Sequence, residues 1–162
     1  AMRSLFNLLT SAREQGLITA YHDRSDGGLF TTLAEMAFAG RTGLDIDLSV
    51  FADDVIAALF SEEIGVVLQV TSANQSAFVN LVAEQGLSDR CHAVARFNDA
   101  QSLRVSANGA LVFERSLADC HARWSETSYR MQALRDNADC AQQAYGLIQS
   151  QATESKLFAQ LS

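Results

Sequence analysis

The most informative part of the sequence is Tyr21-His-Asp-Arg-Ser-Asp-Gly-Gly-Leu-Phe-Thr-Thr-Leu-Ala-Glu-Met-Ala-Phe-Ala-Gly40. The apolar residues that lead into it, from Leu17 to Tyr21, predict a strand or extended segment. From Leu29 onward, apolar side chains recur at helical spacing and predict a helix that ends near Gly40. The polar, glycine-rich residues from Asp23 to Gly28 therefore form the turn between a strand and a helix.

This turn has the composition of a magnesium and phosphate site. Ser25 or Asp26 can cap the helix, because their side-chain oxygens accept hydrogen bonds from the free amides of its first turn. Gly27 and Gly28 would be the first helical residues, and their bare backbone would let an anion approach those amides. Asp23 supplies a second carboxylate, and a divalent cation could bridge the two carboxylates to phosphate oxygens. The alternative is a plain helix cap, because an Asp-Gly-Gly turn is by itself a weak motif.

Composition limits the classes of function. The chain has 162 residues, 48% of them hydrophobic, which is enough for the core of one globular domain. Its 19 acidic and 12 basic residues leave a net charge of −7, which argues against nonspecific binding to nucleic acid or to an anionic membrane. No apolar run approaches the roughly 20 residues that span a bilayer. Three cysteines without a close pair favour the reducing cytoplasm.

Three runs of the sequence together resemble one enzyme family. They are His22-Asp-Arg-Ser-Asp-Gly-Gly28 with Leu33-Ala-Glu-Met-Ala-Phe-Ala-Gly40, then Leu59-Phe-Ser-Glu-Glu-Ile-Gly65, then Thr127-Ser-Tyr-Arg-Met-Gln-Ala-Leu-Arg-Asp-Asn137. The resemblance is to the second synthetase half of the large phosphoribosylformylglycinamidine synthases, the glutamine- and ATP-dependent amidotransferases of purine biosynthesis. It extends over roughly residues 3 to 140.

The resemblance implies roles for the residues of the turn. Asp23 is expected to hold Mg²⁺, and Ser25 to contact the phosphates of ATP or ADP together with Asp26, Gly27 and Gly28. Asp26 is expected to cap the helix rather than to act as a second metal ligand. Arg24 either screens phosphate charge or pairs with a neighbouring carboxylate.

The resemblance also implies what the chain lacks. The other Mg²⁺ ligands and the substrate-activating residues belong to an upstream synthetase segment, and the glutaminase nucleophile belongs to a downstream domain. We therefore expect a catalytically silent piece of a longer enzyme, contributing to an auxiliary nucleotide site and to scaffolding. The helix already under way at Leu5, directly after Ala1-Met2, is consistent with an excised piece.

The remaining pattern predicts an α+β fold, a mixed β-sheet covered by helices. Helices are predicted at 3–15 with a stop at Gly16, at 53–60, after a capping box over 72–75, and at 116–135. Strands are predicted at 43–48, at 91–97, and on either side of Asn108-Gly109, the dipeptide that favours a type I′ hairpin. Residues 64–70 read as a central strand buried on both faces. The resemblance implies the C-terminal domain of aminoimidazole ribonucleotide (AIR) synthase, with a partial likeness to a ferredoxin fold, over residues 1–140, and a linker over 141–162.

Other residues are weaker candidates. Glu62 and Glu63 are adjacent carboxylates, which on an extended chain point to opposite faces, so one is expected to be solvated. The pairs Cys91-His92 and Cys120-His121 lack the spacing of a structural zinc site. His22 is expected to orient the turn, and Trp124, Met131 and Leu134 are expected to lie on a core-facing stripe of the 116–135 helix with Leu117 and Cys120.

Two alternative functions stay open. The first is another ATP-dependent synthetase of the same superfamily, such as aminoimidazole ribonucleotide synthetase or selenophosphate synthetase; the run from Thr127 to Asn137 argues against it. The second is a non-enzymatic interaction module whose Asp-Gly-Gly turn is only a helix cap. Failure to bind nucleotide even in the full-length protein would favour the second.

Overall fold

The computed structural model describes residues 2–51 and 54–149, which divide into two compact units. The first contains the described residues up to Leu33 and from Val50 to Val94, and the second those from Ala34 to Ser49 and from Ala95 onward. The elements in chain order are α1 (Met2–Glu14), β1 (Ile18–Asp23), α2 (Gly28–Gly40), β2 (Gly43–Asp47), α3 (Val55–Phe60), β3 (Val66–Val70), α4 (Gln75–Glu84), β4 (Ala95–Asn98), β5 (Ser102–Ala107), β6 (Ala110–Ser116), α5 (Leu117–Arg135) and α6 (Ala138–Gln149). The predicted α+β class is confirmed.

The first unit packs α1 and α4 beside a two-stranded antiparallel sheet of β1 and β3. Gly16 ends α1 with φ +65°, the left-handed conformation that glycine adopts without a steric penalty, as predicted. The core of this unit comes from both helices and the segments that follow them, and consists of Leu8, Ala12, Leu17, Phe78, Leu81, Val82 and Leu87.

Two predictions for this unit are wrong. All five residues of β3 are partly exposed, and β3 pairs with β1 alone in the described chain, so it is not a central strand. A continuous apolar run shows that a strand is apolar but does not show which layers cover it. The predicted capping box over 72–75 is also absent. The hydroxyl that accepts from the Asn74 amide, at 3.3 Å, is that of Thr71, and the side-chain amide of Asn74 donates to the carbonyls of Gly16 (3.1 Å) and Leu17 (3.4 Å).

The second unit contains a mixed four-stranded sheet in the order β4-β2-β5-β6. β2 runs parallel to β5, and the other neighbours are antiparallel. The central strands bury Ile46, Leu103 and Val105 almost completely. The β5–β6 hairpin turns at Asn108 (φ +51°) and Gly109 (φ +77°), which confirms the predicted type I′ turn.

Helices α5 and α6 pack on each other in this unit. Ser116 caps α5 by accepting from the Asp119 amide at 3.1 Å, and the rings of Tyr129 and Tyr145 stack with centroids 4.4 Å apart. Residues 141–149, which the sequence placed in a linker, belong to α6, and Ala141 is 1% exposed. The rest of that predicted linker lies outside the described residues.

The predicted core stripe of α5 is wrong over most of its length. Trp124, Met131 and Leu134 are 54%, 66% and 90% exposed. The buried positions of this helix are Leu117, which the predicted stripe included, and Ala122 and Ser125, which it did not.

Candidate functional site

The candidate site is the turn that joins β1 to α2. β1 ends at Asp23, whose carboxylate is 65% exposed, and Ser25 and Asp26 after it are also exposed. Thr32, 1% exposed, holds the turn from inside: its hydroxyl lies 3.3 Å from the carbonyl of Asp23 and 3.0 Å from that of Gly28. The turn therefore presents three oxygen-bearing side chains to solvent from an anchored backbone.

The two glycines have a role that the sequence did not show. Gly27 and Gly28 have φ values of +81° and +68°, so they are not ordinary helical residues, although α2 begins at Gly28. A Cβ on Gly28 would lie 2.7 Å from the carbonyl oxygen of Leu59 and 2.8–2.9 Å from the backbone of Phe60. The space that a side chain at Gly28 would need is thus filled by the end of α3. The approach of an anion to the backbone of Gly27 and Gly28 stays a prediction.

The amides of these glycines are engaged within the chain. Gly27 donates to Oε1 of Glu62 at 3.1 Å, and Gly28 donates to the carbonyl of Ser25 at 3.0 Å. Among the described residues, the side chains of Ser25 and Asp26 accept no hydrogen bond from the helix, so the predicted cap does not form. Glu62 supplies the carboxylate instead, from a segment 35 positions further along the chain.

Arg24 points away from solvent, with its side chain 14% exposed. One terminal nitrogen donates to the carbonyl of Ser61 at 2.7 Å and lies 3.3 Å from that of Ala58, and the other lies 3.5 Å from a carboxylate oxygen of Glu63. Of the two roles left open by the sequence, the structure shows the pairing with a carboxylate. It also shows contacts with backbone carbonyls that no sequence pattern indicated.

His22 and the cysteines complete the inventory of candidates. Nδ1 of His22 lies 2.8 Å from the carbonyl oxygen of Asp23 and 3.6 Å from its carboxylate. Burial raises the pKa of the Cys91 thiol. Burial, and to a smaller extent the negative charge of Asp119, raise the pKa of the Cys120 thiol. Within residues 2–51 and 54–149, no three or more His, Cys, Asp or Glu side chains are grouped so as to hold a metal ion.

The donor chemistry fits part of a magnesium and nucleotide site. Asp23, Ser25 and Asp26 offer exposed hard oxygen atoms of the kind that Mg²⁺ prefers. The amides of Gly27 and Gly28 fit phosphate less well, because Glu62 and the Ser25 carbonyl already accept from them. A site of this kind would therefore rest on side-chain oxygens, while Gly28 brings the turn against the end of α3.

The family of the chain is shown by its sequence profile. The chain belongs to the family of AIR synthase related proteins, C-terminal domain, whose sequence profile matches residues 2–108. No helix of the described ranges is both long and apolar enough to cross a membrane.

Particular relatives then narrow the class. The chain is 42% identical over 143 residues to the phosphoribosylformylglycinamidine synthase of Schizosaccharomyces pombe, covering 87% of this chain but 11% of that enzyme. The expected family resemblance is thereby confirmed. Structures of Thermotoga maritima PurL complexed with FGAR and with ATP each match with a TM-score of 0.63 over 72% of this chain, covering 20% and 21% of those chains. At 18% identity they show that the fold is shared.

Proposed function

We propose that this chain is a domain of a phosphoribosylformylglycinamidine synthase. Such an enzyme activates the carboxamide oxygen of formylglycinamide ribonucleotide with ATP, and ammonia from glutamine then displaces the phosphate to give formylglycinamidine ribonucleotide. The observation that carries the proposal is the 42% identity to one such enzyme over 87% of this chain. Because the chain spans about a tenth of that relative's length, the activity belongs to the larger protein.

Within that enzyme, the chain contributes one side of an auxiliary Mg²⁺–nucleotide site. This site supports the folded enzyme as a scaffold and takes no part in the chemical step. Asp23 would hold the metal ion, and Ser25 with its neighbour Asp26 would lie against the phosphates. Mg²⁺ would neutralise phosphate charge there. The exposure of the three side chains, on a turn anchored by Thr32, supports these roles. Gly27 joins them only when Glu62 leaves its amide.

The isolated chain is inactive, because the remaining metal ligands and the substrate-activating residues belong to upstream synthetase domains and the glutaminase nucleophile to a downstream domain. These domains of the same polypeptide, with the nucleotide, are its partners. The enzyme works in the cytoplasm, a placement supported by three free cysteines, Cys91, Cys120 and Cys140.

A domain exchange tests the proposal. Residues 3–140 replace the matching segment of the Schizosaccharomyces pombe synthase, and ADP release is measured with formylglycinamide ribonucleotide, glutamine and ATP. We expect activity from the chimera, none from the isolated chain, and one nucleotide retained by the purified chimera that is lost in Asp23→Asn. Turnover by the isolated chain would contradict the proposal that this chain has no activity of its own. An inactive, correctly folded chimera contradicts the family assignment of function.

One observation favours a second candidate, an interaction module without a nucleotide. Gly28 is packed against α3, and Glu62 accepts from Gly27, so the Asp-Gly-Gly turn already has a complete structural explanation. Full activity of the chimera without retained nucleotide, unchanged by Asp23→Asn, would support this candidate.

A further inference from the structure

We propose that Arg24 is a positioning residue: it anchors the 23–28 turn to the end of α3, directs Asp23 and Ser25 outward, and does not contact the nucleotide. This inference deepens the proposed function and rests on it for the ligand. The anchoring of the turn does not depend on the ligand, because it is argued from contacts within the first unit alone.

The first step of the argument is the use of the guanidinium. The last carbonyls of a helix have no partner within the helix. Arg24 supplies donors to two of the carbonyls around the end of α3, those of Ala58 and Ser61. Its other terminal nitrogen faces Glu63, so both terminal nitrogens are engaged by the chain rather than turned toward a ligand.

The second step is that Arg24 holds the same segment by its backbone. The Arg24 amide donates to the carbonyl of Gly65 at 2.9 Å, while the side chain reaches back to Ser61. The residue therefore bridges the turn to both ends of the 61–65 segment. Gly28 closes the contact from the other side of the turn, where its missing Cβ admits the backbone of Phe60.

The third step is the alternation of side chains. Burial alternates along β1, where His22 is half-buried and Asp23 exposed, and the alternation continues through Arg24 and Ser25. On extended backbone, successive side chains point to opposite sides. Fixing Arg24 inward therefore turns both of its neighbours, the proposed metal ligand and the proposed phosphate contact, toward solvent.

The fourth step is the contrast with lysine. A guanidinium presents a planar fork of donors, so it can serve two carbonyls and a carboxylate together, whereas an ammonium on a flexible stem makes a single compact contact. The substitution Arg24→Lys keeps the positive charge but loses the planar set of donors. Positioning and charge screening therefore predict different results for this substitution.

The test titrates the 162-residue chain with Mg²⁺ alone and with Mg-ADP, following the amide resonances of residues 23–28. If Arg24 positions the turn, both Arg24→Lys and Arg24→Gln weaken Mg²⁺ and Mg-ADP about tenfold, the size typical for residues that orient metal ligands. If Arg24 acts by its charge, Arg24→Gln tightens Mg²⁺ binding, since a nearby positive charge is removed, and Arg24→Lys changes neither titration. That pattern overturns the proposal.

Two further variants serve as controls for Arg24. Glu63→Gln removes the 3.5 Å ion pair but leaves the carbonyl contacts, so binding is retained. Arg104→Gln removes an arginine from the other unit, where it pairs with Asp45 and Glu114, and leaves the site unchanged. A loss in either variant equal to that in Arg24→Gln contradicts a specific role for Arg24.

Hydrogen exchange separates this inference from the proposed function. Arg24→Lys and Arg24→Gln should reduce protection of the Arg24 and Gly28 amides at least tenfold relative to wild type, while protection in α4 stays unchanged. If the wild-type chain binds neither Mg²⁺ nor Mg-ADP, the ligand proposal fails for this chain and exchange alone decides the anchoring. Unchanged protection at both amides overturns the anchoring.

Discussion

The amide of Gly27 donates a hydrogen bond to Oε1 of Glu62 at 3.1 Å, between residues 35 positions apart in the sequence. A carboxylate therefore accepts from the amide at which the sequence predicted a phosphate. This contact gives the first Glu of the Ser61-Glu62-Glu63 run, although it is exposed, a partner in the turn. It makes Glu62 a competitor of any anion at the turn.

Removing Glu62 should therefore strengthen nucleotide binding. Glu62→Ala frees the Gly27 amide and removes a negative charge from the phosphate side of the site. A hydrogen bond is worth about 1 kcal/mol net, so we expect the dissociation constant of Mg-ADP to fall about fivefold. Calorimetric titration of the chain measures it.

The matched control is Glu63→Ala, which removes the same charge one position away. Glu63 faces Arg24 and not the Gly27 amide. If both variants tighten binding equally, the effect is general electrostatics, and the competition at Gly27 is contradicted.

Mg-ADP should stabilise the chain through Asp23. Ligand at about 100 times its dissociation constant adds about 2.7 kcal/mol to the free energy of unfolding. At about 2–4 °C per kcal/mol for a domain near this size, the melting temperature should rise by about 5–10 °C. Asp23→Asn should abolish the rise and the exposed control Asp89→Asn should keep it, as measured by a thermal melt. An equal rise in Asp23→Asn would exclude this carboxylate as a ligand.

Gly28 should tolerate no side chain. Gly28→Ala combines a left-handed backbone with a Cβ 2.7–2.9 Å from the backbone at Leu59 and Phe60, and should cost about 2–4 kcal/mol of stability. Gly86 has nearly the same φ, +65°, but nothing within 4 Å of its Cβ position, so Gly86→Ala should cost about 1 kcal/mol. Urea unfolding compares the two. Equal costs would mean that close packing at Gly28 adds nothing beyond its backbone conformation.

Stability should fall at acidic pH partly through His121. Burial, and then the positive charge of Arg41, hold the pKa of this imidazole below its ordinary value near 6.5. Below about pH 6.5 the unfolded chain takes up a proton at His121 that the folded chain resists, so this residue's contribution to stability is full above that pH and is lost as pH falls through the lower folded pKa.

Urea midpoints at pH 8 and pH 5.5 measure the loss, which should be smaller in His121→Gln than in wild type or in His92→Gln. In the folded chain, Arg41→Gln should raise the His121 pKa, as followed by its ring resonances, because one repulsive charge is removed. The imidazole also stacks on Phe38 with centroids 4.6 Å apart, a contact that does not involve Arg41. An unchanged His121 pKa would assign the shift to burial alone.

Local signals predicted the parts of the fold that depend on a few neighbouring residues. Gly16 ends α1 and Asn108-Gly109 forms the hairpin, each by a backbone conformation confined to about four residues. The strand-to-helix turn at Asp23–Gly28 was located for the same reason. The sequence did not predict that β3 is partly exposed or that most of the apolar stripe of α5 is exposed. An apolar residue does not show which element will cover it.

The amino-acid sequence by itself determined the α+β class, the turn and the oxygen-bearing residues offered there, since these depend on spacing and side-chain chemistry. Only the tertiary structure decided what those residues contact. Arg24 meets Ser61 across 37 positions and Gly27 meets Glu62 across 35. Such pairings arise when the chain folds back on itself and its unpaired backbone groups find donors and acceptors, so no local pattern encodes them.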